Sequence, residues 1–218
     1  MTRAAPRGRA IALDVAVVLA LSALAVWLRW PALFTEGFHN EDAAGITYNA
    51  DLLRQGLLPY VHDLELKAPG SYWLSHWAWA LFGRSLVVLN RVACAWAVLA
   101  GAGVFVTARA LYGSRASAAL AMALYTVAAP ITDSIDINYG AWMIAPYVWA
   151  TAFYALGMRK GQWGWLVASG ATLAVAGLMK RQGGLLFVLF AVGLLAAWWR
   201  TRGTAEGQRR WWAGWAFA

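Results

Sequence analysis

Two neighbouring carboxylates, Glu41 and Asp42, follow a hydrophobic run so closely that they must lie near a membrane surface. Acidic side chains cost free energy near hydrocarbon, so a pair at the exit of a span points to chemistry before packing, and a carboxylate there can take a proton from a hydroxyl. The plain alternative is a solvated loop start. A second cluster, Lys180-Arg181-Gln182, lies between two apolar runs. Arginine offers bidentate donors and lysine a point charge, so the pair suits a phosphate. Lys67 stands two residues before Pro69, and Asp63 and Glu65 lie just upstream. The segment Thr132–Tyr139 adds Asp133, Asp136 and Asn138, which read equally well as a capped short loop. His39, His62 and His76 fall near these acids but show no His-x-x-x-His spacing, so no metal site is expected.

The elements that must position these residues are membrane helices. Apolar residues make up 61% of the 218 and charged ones 13%, with a mean hydropathy of +0.54. That balance excludes an ordinary soluble domain. Fifteen Trp and eight Tyr fit aromatic belts at headgroup level. The net charge of +8 is spread in short clusters between apolar runs, an orientation signal rather than a nucleic-acid face. A single cysteine, Cys94, excludes an intrachain disulfide and reads as a small core residue.

At about 20 residues per crossing, spans are expected near 11–30, 86–110, 116–131, 139–158, 163–179 and 184–200, with a seventh beginning at Trp211. The first follows Arg3, Arg7 and Arg9 but is too long for a signal-peptide core, so it reads as an uncleaved span. The fold class is therefore an all-α, polytopic membrane bundle of six to seven helices, forming a single domain over residues 1–218. The chain stops in mid-pattern at Trp215-Ala216-Phe217-Ala218, so it reads as the N-terminal part of a longer protein.

With the N-terminus inside, eleven of the eighteen Lys and Arg residues fall in inner segments and eight of the ten acids in outer ones. Lys180 and Arg181 break that rule: they fall outside, where an exception implies a partner, unless the topology is shifted by one span. Residues 31–85 form a long first outer loop. Within it, Asp42–Gln55 reads as an amphipathic helix with Ile46, Leu52 and Leu53 on or near one face and Gly56 as its stop. Ser71–Phe82, dense in Trp and about 12 residues long, suits an interfacial helix. Asn90 and Arg91 are expected in a structural salt bridge with an outer acid. Asp14 lies either near the inner interface or against another helix.

The order of short elements here resembles the first outer loop of GT-C-type membrane glycosyltransferases, the superfamily of protein O-mannosyltransferases and lipid A aminoarabinose transferases (glycosyltransferase family 39-like). The residues that carry it are Glu41-Asp42, Tyr48–Gly56, Leu58-Pro59-Tyr60, Asp63, Lys67-Ala68-Pro69-Gly70-Ser71-Tyr72, Leu81-Phe82-Gly83 and Asn90-Arg91. It covers roughly residues 11–200. Such enzymes move a sugar from a polyprenyl-phosphate carrier to an acceptor at the outer face of the membrane. The resemblance implies Asp42 as general base with Glu41 beside it; the family's pair often reads Asp-Glu, so Glu41 stays a candidate. It implies Lys67, in place of the family's Lys-Pro motif, near the donor phosphate, where simple snorkelling is the alternative. Lys180 and Arg181 would join it, and Asp63, Asp133, Asp136 and Asn138 would face sugar and acceptor. Many members have Asn-Ala-Glu after the second acidic loop. This chain has Asn138-Tyr139-Gly140, so that Glu has no counterpart.

The expected function is thus a glycosyltransferase of a bacterial inner membrane, N-terminus cytoplasmic and active site periplasmic. Its partners are a polyprenyl-phosphate-linked sugar, a lipid, glycan or protein acceptor, and membrane lipids, with no nucleic acid. No cofactor is expected, although some GT-C enzymes use a divalent ion. A transporter or lipid-handling protein is the alternative, but its ionisable residues should lie deep in the spans, whereas these acids lie in loops. A catalytically silent, truncated subunit is the third reading.

Overall fold

The computed structural model describes residues 7–37, 41–62, 67–132 and 137–201, and their side chains except those of 7, 200 and 201. Every regular element among them is helical: α1 (Arg7–Leu28), α2 (Glu41–Arg54), α3 (Gly70–Phe82), α4 (Leu86–Tyr112), α5 (Arg115–Ile131), α6 (Tyr139–Lys160), α7 (Trp163–Met179) and α8 (Leu185–Thr201). Short 3-10 turns run over Trp30–Phe34 and Arg181–Gly184. The protein is an all-α helical bundle of membrane character.

Helices stand at all six positions expected as spans. Gly8–Leu28, Leu86–Tyr112 and Arg181–Trp199 are long and apolar enough to cross a membrane, while α5 and α7 are shorter apolar helices of 17 residues. Helix α6 has the length, at 22 residues, but carries two Gly, Pro146 and the terminal Arg159-Lys160 pair, which dilute its hydropathy. The seventh span expected from Trp211 lies outside the described residues.

Helix ends follow local chemistry. Ser85 caps α4 by accepting a hydrogen bond from the Val87 amide, and Ser114 caps α5 through the Ser117 amide. Gly113 and Gly161 close α4 and α6 in the left-handed conformation, at φ 68° and 66°. The long helices then pack by polar bonds and close backbone approach, the forces available where lipid is as apolar as leucine. Trp96 and Trp149 donate from their indoles to the Trp142 and Leu99 carbonyls, and Ser169 donates to the Ala150 carbonyl. A Cβ at Gly103 would lie 2.7 Å from the Val148 side chain, so α4 and α6 approach closely there.

Charge divides between the two ends of this bundle. At one end Asp14 of α1 pairs with Arg109 at 3.3 Å and Arg115 at 2.5 Å, and Arg159 donates to the Ala110 carbonyl. Asp14 therefore faces another helix pair. At the other end the first long loop folds back as a helical layer. Ala43, Ile46, Ala50 and Leu53 of α2 are buried against α3, α4 and α6, which fixes the amphipathic face expected of it. Helix α3 keeps Trp73, Trp77, Leu81 and Phe82 exposed while burying Tyr72, Ser75 and Trp79, the division an interfacial helix needs. Asn90 and Arg91 bind differently from the expectation. The Asn90 amide donates to the Ala32 and Thr35 carbonyls, while Arg91 donates to the Leu33 carbonyl and lies over the Phe34 ring. Backbone oxygens freed by the turn after α1 take the role assigned to an acid.

Candidate functional site

Glu41 and Asp42 form the first turn of α2, where two carboxylates complement the positive end of the helix. Their side chains diverge. Asp42 lines a cavity of about 400 Å³ together with Lys67, Ala68, Tyr139, Met179, Lys180, Arg181 and Gln182. Glu41 is exposed and is not part of its wall. Four side chains singled out by the sequence, Asp42, Lys67, Lys180 and Arg181, thus meet in one place, though they come from segments up to 139 residues apart.

Glycines make that meeting possible. A Cβ at Gly70 would lie 2.6 Å from the Leu178 carbonyl oxygen, and one at Gly183 would lie 2.4 Å from that of Ala176. The start of α3 and the turn after α7 therefore both rest directly on the last turn of α7. Ser71 adds a hydrogen bond from its hydroxyl to the Met179 carbonyl at 3.3 Å. The Lys-Ala-Pro-Gly and Lys-Arg-Gln-Gly segments are in this way fastened to one helix end, with Asp42 across from them. Lys180 and Arg181 share an end of the bundle with Asp42 and Lys67, opposite Arg109, Arg115 and Arg159.

The Lys67 ammonium donates to Asp42 Oδ1 at 2.5 Å. It also stands 4.5 Å from the centroid of the Tyr139 ring. Among the described residues the wall sets three cations against one carboxylate, suited to an anionic group beside a carboxylate. Tyr139 and Tyr72 join hydroxyls at 3.1 Å, and Tyr60 donates to the Lys67 carbonyl at 2.5 Å. Tyr60 and Tyr72 entered the sequence reading only as parts of the segments that carry the resemblance, and Tyr139 drew no role there, since an aromatic at a span boundary reads as part of the interfacial belt.

Asn138 lies at the same end, but its oxygen accepts from the Ala141 amide at 2.6 Å and so caps α6. That bond is the helix cap that the sequence also allowed, and Tyr139 is the next residue. Asp63, Asp133 and Asp136, expected on the substrate side, lie outside the described residues, as do Glu65 and His39. Among the described residues no three His, Cys, Asp or Glu side chains gather as a metal site would require.

On the opposite face of α2 a second cavity of about 480 Å³ holds Glu36, Asp51 and Arg84. Its carboxylates are engaged with the protein. Asp51 accepts from Arg54 at 2.9 Å, Gln55 at 3.0 Å and Arg84 at 3.0 Å, and Arg54 foremost holds its carboxyl below the usual range. Glu36 accepts from the Ser85 hydroxyl at 2.5 Å and the Leu86 amide at 3.0 Å, with the Ser85 bond the main cause of its lowered pKa. This cluster ties the loop to the start of α4, and among the described residues Asp42 is the carboxylate that lines the cationic cavity.

Residues 66–216 match the family described as dolichyl-phosphate-mannose-protein mannosyltransferase, more than two thirds of the chain. The matched stretch includes Lys67, Tyr139, Lys180 and Arg181 and begins after Asp42. No curated protein and no solved structure gives a significant match.

Proposed function

The chain belongs to the dolichyl-phosphate-mannose-protein mannosyltransferase family, membrane glycosyltransferases of the GT-C type, and we propose that it moves a sugar from a polyprenyl-phosphate carrier to a hydroxyl-bearing acceptor at the outer face of a bacterial inner membrane. The observation that carries this reading is the shared cavity of Asp42, Lys67, Lys180 and Arg181. In it the donor phosphate lies on the three cations, and the anomeric carbon faces Asp42. The acceptor oxygen attacks that carbon as the bond to the phosphate oxygen breaks. The electron pair leaves with the carrier phosphate, whose growing charge the cations stabilise, and the acceptor proton passes to Asp42. A single displacement of this kind inverts the anomeric centre. The charge a divalent ion would supply comes here from Lys67, Lys180 and Arg181.

A phosphate competing for Lys67 would release the carboxylate for its role as base. The transporter reading draws less support, because Asp14, inside α1, is matched by two arginines at the far end of the bundle.

The test is transfer of labelled sugar from polyprenyl-phosphate donors in membranes holding the full-length gene product. Asp42→Asn, expressed and folded as the wild type, is expected to lose at least about a hundredfold in rate, the usual contribution of a general base. Transfer at the wild-type rate would remove Asp42 from the mechanism and leave Glu41 to be tested in its place.

A further inference from the structure

Lys67 is held at both ends by tyrosines. Its carbonyl accepts from the Tyr60 hydroxyl, and its ammonium lies over the Tyr139 ring, 4.5 Å from the centroid. Tyr139 is 2% exposed, and its ring is locked in turn: Tyr72 meets it edge-on at 6.0 Å, and the two hydroxyls are 3.1 Å apart. Asn138 fixes the backbone beneath it by capping α6. Tyr60 itself has φ of 70°, which is uncommon for a residue with a side chain and persists where surrounding contacts enforce it. A lysine has four rotatable bonds in its stem, and the bond of this ammonium to Asp42 is one that a donor phosphate would have to displace. The negative face of an aromatic ring attracts the ammonium wherever it lies over that face, so it restrains the group without taking up its hydrogen bonds.

We propose that Tyr139 is the positioning residue for Lys67: the face of its ring, not its hydroxyl, holds the ammonium within the cavity so that it can serve the donor phosphate. The inference rests on the reading that Lys67 meets that phosphate. The hydroxyl is directed to Tyr72 and contributes by orienting the ring. Removing the ring's negative face should therefore weaken phosphate binding through Lys67 alone.

The measurement is the Kd of farnesyl phosphate, an isoprenyl phosphate without sugar, for the purified full-length protein in detergent. Tyr139→Phe keeps the ring and is expected to bind within about twofold of wild type. Phenylalanines of increasing fluorination at position 139 keep the shape but drain the ring face; binding should weaken stepwise, about two- to thirtyfold in all, at unchanged Tm. In a Lys67→Gln background the same series should show no trend. A Kd indifferent to fluorination, with Lys67→Gln still weakened, would overturn the role of Tyr139 and leave the phosphate reading standing. A trend that survives in Lys67→Gln would mean the ring meets the ligand directly, which also overturns it. Wild-type binding by Lys67→Gln would instead remove Lys67 from the phosphate site and the premise with it.

Discussion

An alanine at Gly70 tests how the site is assembled. The new Cβ would lie 2.6 Å from the Leu178 carbonyl oxygen, 2.8 Å from its carbon and 3.1 Å from the Met179 nitrogen. All three are backbone atoms in the last turn of α7, so no side chain can rotate out of the way. Restoring ordinary contact near 3.4 Å requires the start of α3 to withdraw by roughly 0.8 Å. That withdrawal stretches the Ser71–Met179 hydrogen bond, already 3.3 Å long, and it moves Lys67, three residues upstream. Overpacking of this kind costs about 1–3 kcal/mol and the lost hydrogen bond about 1 kcal/mol more. A misplacement near 1 Å costs about a hundredfold in rate, so transfer should fall about ten- to a hundredfold.

The assay pairs a thermal melt in detergent with donor-dependent transfer by the full-length protein. Gly164→Ala on α7 is the control: its Cβ meets nothing within 4 Å, and alanine favours a helix by up to about 1 kcal/mol. Gly70→Ala should lose both stability and transfer while Gly164→Ala keeps both. Wild-type melting and transfer in Gly70→Ala would refute the claim that close docking of α3 on α7 sets the position of Lys67.

Two further predictions concern the ties that hold the ends of the bundle. Glu36 has its pKa lowered, chiefly by the Ser85 hydroxyl, from an ordinary value of 4.5, so its contribution is complete above that value and disappears as pH falls through its folded pKa. Wild type and Glu36→Gln should therefore differ in Tm at neutral pH and converge in acid; a gap that widens on acidification would contradict the sign. Asp14→Asn leaves Arg109 and Arg115 facing each other in a half-buried setting and should cost about 1–3 kcal/mol, less than a fully buried pair because solvent and headgroups reach it. An unchanged melting temperature in that variant would show that the ion pairs add nothing to the docking of α1.

The helices were legible because hydropathy and caps act locally. Ser85, Ser114, Asn138, Gly113 and Gly161 mark their boundaries, and the buried face of α2 follows from Ile46, Leu52 and Leu53. The partners of Asn90 and Arg91 were not legible, since they are carbonyls of the turn over Trp30–Phe34, and a sequence shows side-chain charge but not where a backbone oxygen is left over. Asn138 allowed two readings. The side chain that could face a sugar also makes a good helix cap, and in the structure its oxygen accepts from the Ala141 amide. Tyr139 stayed hidden because its importance lies in which face it turns to Lys67, and no spacing rule encodes that.

Lys180 and Arg181 stood out in the sequence because the expected topology puts both outside, against the positive-inside pattern. The structure places both in the wall of a cavity that also takes Lys67 and Asp42. Gly70 and Gly183 serve that placement. Each forgoes a side chain in a tightly packed place so that a cationic segment can rest on the end of α7. Gly103 and Gly157 allow similarly close approaches between long helices, but there the nearest atoms are the side chains of Val148 and Leu166, whereas at Gly70 and Gly183 they are backbone atoms at the end of α7.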